Sequence, residues 1–179
     1  MMGGTPETLL HEGYRARRED RLAEAKDCFA EAVDLSRTVG DEAALAKALT
    51  GLGQIDRDLG ETDAALSHYE DAVVICRTLN DPLRLAHTVR HVGDILRNRG
   101  KLGLAAPCYE EALGIYRRHE ETPPLDLANA IRGYALVKAG TGDKEEAVEL
   151  WLEAGGLYAA VGVQAGVAES EAQVACLTD

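Results

Sequence analysis

One spacing of small and aromatic residues occurs four times along the chain and limits the folds that the chain can adopt. A small residue is followed after eleven residues by an alanine, after three more by an aromatic residue, and after two more by an alanine. The copies are Gly13, Ala25, Phe29, Ala32; Gly53, Ala65, Tyr69, Ala72; Gly93, Ala105, Tyr109, Ala112; and Ala135, Ala147, Trp151, Ala154. Self-similarity at a period of 40 to 42 residues indicates stacked units, none of which buries its apolar face alone.

Each copy is predicted to be a pair of helices. In the second copy, apolar residues from Leu45 to Leu59 recur at intervals of three and four, which is typical of one buried helical face. Gly60 interrupts that copy, and Asp41 and Asp81 stand where they can cap the helices that follow. The predicted segments are a disordered start at 1–5, helix pairs at about 6–40, 41–80, 81–121 and 122–161, and a half repeat or cap at 162–179, with residues 6–179 forming a single domain.

The pattern resembles the tetratricopeptide repeat over about residues 6–160. That family combines a large residue, Leu-Gly, and then Ala-x3-aromatic. The matching residues in the second copy are Leu49, Leu52, Gly53, Ala65, Tyr69 and Ala72. The resemblance implies an all-α fold, a right-handed helical-repeat solenoid of four antiparallel helix pairs plus a C-terminal helix. It also implies that the first helix of each pair lines a concave inner wall.

Two departures from the family pattern accompany the long period. The aromatic residue expected three positions after the small residue is replaced by Ala16, Asp56, Leu96 and Lys138. The Pro that closes the second helix is replaced by Arg37, Arg77 and Arg117. Without that Pro the second helix need not stop, which agrees with a repeat of about 40 residues rather than 34. In this the chain is similar to the long-repeat variants that resemble kinesin light chains and the sensor regions of bacterial regulators.

Composition argues against several classes of protein. A formal net charge of −12 opposes binding to duplex nucleic acid, whose affinity comes mainly from neutralised phosphates. No apolar run reaches the ~18 residues of a membrane span, and the N-terminus lacks a basic start followed by an apolar stretch. We therefore expect a cytoplasmic protein without nucleic-acid or membrane partners. The four cysteines form no CxxC pair and are interpreted as small buried thiols.

The sequence contains no recognisable catalytic motif. We find no phosphate loop, dinucleotide glycine motif, nucleophile elbow or His-Glu-x-x-His, so we predict a non-enzymatic protein without a cofactor. His87, His91 and Asp94 share one helical face and leave open a metal-dependent enzyme as an alternative. Because no fourth ligand is evident, hydrogen bonding at the groove wall is the favoured interpretation and no metal site is predicted.

Charge divides unequally between the two kinds of helix. The first helices carry 11 Lys or Arg and 8 Asp or Glu, a net charge of +3. The second helices carry 6 Lys or Arg and 14 Asp or Glu, a net charge of −8. A concave surface of one prevailing sign attracts opposite charge, although a charged stripe is often only a solvated face. The predicted peptide-binding groove residues are Arg17, Lys47, Gln54, Arg57, His87, Arg90, Asp94, Arg97, Asn129 and Arg132.

These observations predict a protein–protein interaction module whose groove binds an acidic or extended peptide segment of a partner protein. The clamp that related repeats use for chaperone tails is absent, because its positions in the third pair hold His87 and His91 rather than Lys and Arg. The alternative is a self-assembling scaffold or sensor region of a bacterial-type regulator that forms a homodimer through its terminal helix.

Overall fold

The computed structural model describes residues 4–178, in which every regular element is an α-helix. The helices are α1 (Pro6–Arg18), α2 (Leu22–Val39), α3 (Glu42–Asp58), α4 (Thr62–Leu79), α5 (Pro82–Asn98), α6 (Leu102–Tyr116), α7 (Pro124–Thr141), α8 (Lys144–Ala160) and α9 (Gln164–Thr178). The predicted all-α repeat fold of four helix pairs followed by a C-terminal helix is confirmed. We call α1, α3, α5 and α7 the first helices and α2, α4, α6 and α8 the second helices.

The turns within the pairs repeat with the sequence period. Each contains a residue of positive φ, namely Asp20 at 59°, Gly60 at 81°, Gly100 at 73° and Gly142 at 93°. Glycine reaches this left-handed region without a steric penalty, and aspartate tolerates it better than most other residues do. The turn positions are therefore fixed by local chemistry in every pair.

Side-chain caps begin α1, α3 and α5. The Asp41 carboxylate accepts from the Ala44 backbone N–H at 2.9 Å, and the Asp81 carboxylate accepts from that of Arg84 at 3.1 Å. Both aspartates act as predicted. The Thr5 hydroxyl accepts from the Thr8 backbone N–H at 3.2 Å, and the disordered start at 1–5 stays a prediction. Residues 1–3 of that prediction lie outside the described part of the chain.

Two of the second helices continue past the position where the family has its Pro. Both α2 and α4 are 18 residues long and include Arg37 and Arg77 in their last turns. In the third pair α6 is shorter, with 15 residues, and ends just before Arg117. The absence of the Pro therefore permits the longer helix but does not enforce it.

Aromatic rings of the second helices pack against glycines of the first helices, and we call these contact points glycine notches. The repeated spacing of small residues indicates such close contacts between helices. A Cβ atom built on Gly51 of α3 would lie 2.5 Å from Phe29 of α2, and one on Gly53 would lie 2.7 Å from Tyr69 of α4. A Cβ on Gly133 of α7 would lie only 2.3 Å from Tyr109 of α6. All three rings have no exposed surface. The helices approach closely at these points because one of them presents only a hydrogen atom.

The chain divides into two compact units, unit 1 up to Thr88 and unit 2 from Val89 onward, with the division inside α5. The core of unit 1 includes Leu10 and Ile55, and that of unit 2 includes Ile131 and Trp151. The prediction of one domain over 6–179 stays a prediction.

One departure from the family pattern places a charge in the core of unit 1. Asp56 occupies the position of the missing aromatic residue and is completely buried. Its Oδ2 lies 2.8 Å from His68 Nδ1, and its Oδ1 forms an ion pair with Lys26 Nζ at 2.9 Å. Lys26 also pairs with Glu61 at 2.5 Å. A polar link from α3 to both α2 and α4 thus replaces an apolar contact.

The cysteines differ in exposure. Cys76 is buried, and burial raises the pKa of its thiol to about 11. Cys28 and Cys108 are half-buried. Cys176 is exposed, so the prediction of a buried thiol is wrong there. No helix in this range has both the length and the apolar character that crossing a membrane requires.

Candidate functional site

All ten predicted groove residues lie on first helices. We call them the first-helix set. Their positions are Arg17 on α1; Lys47, Gln54 and Arg57 on α3; His87, Arg90, Asp94 and Arg97 on α5; and Asn129 and Arg132 on α7. Whether they bind a partner stays a prediction.

In unit 1, polar side chains connect three successive first helices. Arg17 Nη1 of α1 donates to Gln54 Oε1 of α3 at 3.2 Å, and Gln54 Nε2 lies 3.3 Å from His87 Nε2 of α5. The hydroxyls of Thr50 and Thr88 lie 3.4 Å apart and are buried. The first helices of unit 1 therefore share one continuous polar surface rather than presenting separate solvated faces.

The basic members of this surface are already ion-paired. Arg17 and Arg57 both contact Asp58, at 2.9 and 3.0 Å, and Lys47 contacts Glu7 at 3.1 Å. The basic side chains retain about a third of their exposed surface, between 31% and 33%. Pairs of this kind contribute only about 0–1 kcal/mol each, so breaking one of them costs little.

In unit 2, the members on α7 contact the helices that follow. Arg132 donates two hydrogen bonds of 2.6 Å to the two carboxylate oxygens of Glu169 on α9. The side-chain oxygen of Asn129 accepts from the Tyr158 hydroxyl of α8 at 2.8 Å. Both residues thereby tie α7 to its neighbours, and the bidentate geometry makes the Arg132 pair the most specific of these contacts.

The remaining members, Arg90, Asp94 and Arg97, lie beside His91 of α5 and Tyr109 of α6, and we call these five residues the α5 cluster. Asp94 Oδ2 accepts from Arg90 Nη1 at 2.8 Å, and Asp94 Oδ1 accepts from the Tyr109 hydroxyl at 2.6 Å. Arg97 Nη1 is 3.8 Å from Asp94 Oδ1, within ion-pair distance but beyond a hydrogen bond. Arg90 Nη2 lies 2.9 Å from His91 Nε2. Because a guanidinium only donates, Nε2 must accept and carries no proton.

The surroundings of Asp94 keep it charged. Burial by itself raises the pKa of the Asp94 carboxyl, but the hydrogen bond from His91, the charge of Arg90 and the hydrogen bond from Tyr109 outweigh it and hold the pKa well below its usual range. Burial and the charge of Asp94 raise the pKa of Tyr109 far above its ordinary value. The cluster therefore holds one carboxylate and a protonated phenol at neutral pH.

Sequence reasoning identified the basic residues but missed their partners. Asp58 follows Arg17 by 41 residues, Lys47 follows Glu7 by 40, and Glu169 follows Arg132 by 37. Opposite charges about one repeat apart were thus the available signal. A net charge summed over helices does not reveal it, because the sum ignores which side chains meet.

The metal interpretation finds no geometric support in the described chain. Within residues 4–178, no three His, Cys, Asp or Glu side chains converge as a metal-binding group. His91 and Asp94 instead contact Arg90, and the guanidinium charges of the α5 cluster repel a cation. His87, the third residue of the proposed face, contacts Gln54.

Comparison with known protein families agrees with the repeated spacing of small and aromatic residues. The family model of the tetratricopeptide repeat matches residues 6–78. This part of the chain is a tetratricopeptide-repeat array. The predicted resemblance is confirmed, and the glycine–aromatic contacts of Gly93 and Gly133 with Tyr109 show the same packing in unit 2. Tetratricopeptide repeats are typically non-catalytic interaction scaffolds.

Solved structures with the same fold are distant in sequence. BtubC (BKLC) from P. vanneervenii matches with a TM-score of 0.76 and 22% identity, over 90% of this chain and 68% of that chain. A Rap protein, solved in complex with Competence and Sporulation Factor, matches with a TM-score of 0.78 and 17% identity over 96% of this chain. Only 48% of the Rap chain is covered, so this chain spans about half its length. No protein of curated function matches in sequence. At these identities the likeness concerns the fold alone.

Proposed function

We propose that this protein is a non-enzymatic interaction module of the cytoplasm, and that its first-helix set binds an extended, acidic segment of a partner protein in a groove. The observation that carries the proposal is the joined polar surface of unit 1, in which Arg17, Gln54 and His87 link three first helices. A surface built from several consecutive helices suits an extended guest, because each helix contributes side chains at successive positions along it.

The chemistry of the set favours carboxylates in the guest. Arginine forks bind carboxylates with two directed hydrogen bonds, and Arg132 already does so with Glu169. That internal contact is a working example of the recognition that we propose for a partner. The Rap protein of similar fold was solved with a bound factor, which is compatible with a binding role for this arrangement of helices.

Selection from a phage-displayed random peptide library, followed by photo-crosslinking, tests the proposal. A benzophenone amino acid is placed at Lys47 on α3, and at Val74 on α4 as the matched control, since Val74 is 65% exposed. We expect the selected peptides to be enriched in Asp and Glu and to crosslink to the Lys47 position but not to the Val74 position. Failure to select any peptide, or crosslinking at Val74 alone, would refute the proposal.

Self-association is the second candidate, and an apolar cleft favours it. Trp151, Leu152 and Gly155 of α8 and Val167 and Val174 of α9 line a cleft of about 480 Å³, and Leu152 is 62% exposed. Apolar surface of this kind stabilises a twofold dimer when a second copy covers it. Sedimentation at several concentrations should show a dimer that Leu152→Glu dissociates; a monomer at every concentration excludes this candidate.

A further inference from the structure

We propose that the cleft between α8 and α9 in unit 2 binds an amphipathic helix of a partner protein, with an aromatic side chain against Ala175 and with Lys or Arg side chains along the edge of the cleft. This cleft has a volume of about 480 Å³, and we call it the α8–α9 cleft. The site lies outside the first-helix set and therefore goes beyond the proposed function. Its occupant also differs from that of the second candidate, in which another copy of this chain covers the cleft.

The position of α9 in the repeat identifies the surface that is open. The helix α7 begins at Pro124 and α9 begins at Gln164, 40 residues later, so Ala175 corresponds to Ala135. Ala135 is completely buried, and so is Trp151, the aromatic residue of the same copy. Ala175 is exposed and lines the α8–α9 cleft. A position that is buried in the fourth copy is therefore accessible on α9.

The other copies indicate which kind of group fits against Ala175. The same repeat position holds Gly13 and Gly53 in the first two copies. A Cβ atom on Gly13 would lie 2.9 Å from Phe29, and one on Gly53 would lie 2.7 Å from Tyr69. In both pairs the first helix thus receives an aromatic ring from the second helix. A partner helix that places an aromatic ring against Ala175 would repeat this packing, with its apolar face in the groove between two helices.

Acidic residues beside the cleft favour a basic partner helix. Glu171 lines the cleft, and Glu149 lies one turn before Leu152 on the same side of α8. Both glutamates are exposed, and neither is ion-paired within residues 4–178. Other glutamates of the two helices do have basic partners, namely Glu146, Glu153 and Glu169. Lys or Arg side chains of a partner would meet two unpaired carboxylates, whereas a second copy that packs its own α8 and α9 there would bring like charges together.

A synthetic helix and the full chain provide the direct test. The peptide has 18 residues, the length of α2 and α4, the spacing Ala-x3-Tyr-x2-Ala of the second helices, and Lys along both edges. A hydrocarbon staple on its solvent side keeps it helical, because short isolated helices are marginally stable in water. We expect saturable binding by fluorescence anisotropy of the labelled peptide, together with a change in the emission of Trp151, the single tryptophan of the chain and a wall residue of the cleft. Absence of saturable binding would overturn the proposal.

Two altered peptides test the chemistry of the occupant. Replacing the Tyr by Ala should weaken binding about tenfold or more, because buried aromatic anchors carry much of the binding energy of an interface. Replacing every Lys by Glu should also weaken binding, since the peptide then carries the same charge as the cleft. A Glu peptide that binds as tightly as the Lys peptide would contradict the basic partner, and an Ala peptide that does so would contradict the aromatic anchor.

Matched variants of the protein locate the bound helix. A Cβ atom on Gly156, which lines the cleft, meets nothing within 4 Å in the described chain apart from its chain neighbours and the backbone of its own helix. Gly156→Leu should therefore fill the cleft and weaken binding about tenfold or more. Gly114→Leu is the control, since Gly114 occupies the same repeat position 42 residues earlier and is equally open. Unchanged binding to Gly156→Leu would place the peptide elsewhere and refute the site.

Variants at exposed positions keep the test decisive if Gly156→Leu fails to fold. Leu152 and Leu104 are 62% and 61% exposed on second helices of unit 2, and Leu152→Ser should weaken binding whereas Leu104→Ser should not. Glu149→Gln combined with Glu171→Gln should weaken binding of the Lys peptide. The control is the double variant of the exposed Glu120 and Glu121 to Gln, which changes the net charge equally. Equal effects of the two double variants would show attraction to the overall charge only and would overturn the proposal.

Sedimentation separates this occupant from a second copy. We expect the protein to bind one peptide without changing its own oligomeric state. A dimer that Gly156→Leu dissociates and that excludes the peptide would assign the cleft to a second copy and overturn the proposal. Crosslinking at Lys47 tests the first-helix set independently, so its failure would remove the proposed function and leave the α8–α9 cleft as a site.

Discussion

Replacing Gly133 by Ala tests whether the glycine notches determine the packing of the repeats. A Cβ atom at this position would lie 2.3, 2.7 and 2.8 Å from Cε1, Cζ and the hydroxyl of Tyr109. The ring is completely buried and its hydroxyl donates to Asp94 at 2.6 Å. Tyr109 therefore has little room to move, and any displacement weakens a hydrogen bond to a charged group.

The magnitude follows from three opposing contributions. Alanine gains about 1 kcal/mol of helix propensity over glycine. Overpacking costs about 1–3 kcal/mol, and loss of the hydrogen bond between Tyr109 and Asp94 costs about 1.5–3 kcal/mol. We expect Gly133→Ala to lower the free energy of unfolding by about 2 to 5 kcal/mol, with Tm falling by about 2–4 °C for each kcal/mol.

Gly114→Ala in α6 is the matched control for this experiment. Gly114 is also a helical glycine of unit 2, but in the described chain an added Cβ there meets nothing within 4 Å apart from its chain neighbours and the backbone of its own helix. This variant should be stabilised by about 1 kcal/mol, because only the propensity gain applies. Chemical denaturation and thermal unfolding measure both variants. The packing argument is refuted if Gly133→Ala is as stable as Gly114→Ala.

Three further predictions concern stability. Asp56→Asn should lower the free energy of unfolding by about 1–3 kcal/mol, because it weakens the buried contacts of Asp56 with His68 and Lys26. The control Asp34→Asn, at an exposed position, should change it very little. Equal denaturation midpoints for the two variants would count against a structural role of these buried contacts. The pKa of Asp94 is lowered in the folded protein, so its carboxylate stabilises the fold above the unfolded pKa of ~3.9, and this contribution is lost as pH falls toward the folded pKa. The difference in stability between wild type and Asp94→Asn should therefore be largest at neutral pH and should shrink below about pH 4. A difference that stays constant with pH would exclude this linkage. Pro107→Ala should raise the free energy of unfolding by up to about 3 kcal/mol. Pro107 is exposed and lies inside α6, where it interrupts the backbone hydrogen bonds of the helix. An unchanged Tm would show that the helix already accommodates this proline.

The helices and their pairing could be predicted from the sequence because their signals are local and repeated. The spacing placed Phe29 and Tyr109 at equivalent positions of their repeats, and both rings pack against glycines of first helices. The aspartates at 41 and 81 marked helix starts by their own hydrogen bonds. These signals act over a few residues or recur at a fixed period, so one chain is enough to read them.

The candidate site was predicted only as a set of positions. The sequence placed Arg90, Asp94 and Arg97 on one face of a helix, but it did not indicate that Tyr109 donates to Asp94 from the next helix. It also did not indicate that Arg132 is held by Glu169. The net charge summed over the helices treats these arginines as unpaired. How much of their positive charge remains depends on the carboxylates that they contact.

By itself the sequence determined the order and register of the helices, since turn residues, caps and small-residue notches each act through local geometry. The tertiary structure alone decided which opposite charges lie side by side. Carboxylates that are distant in sequence become neighbours of the arginines only after the helices pack, and the burial of Asp56 and of the α5 cluster is a property of that packing. Electrostatics depends on distances and burial that no single segment specifies.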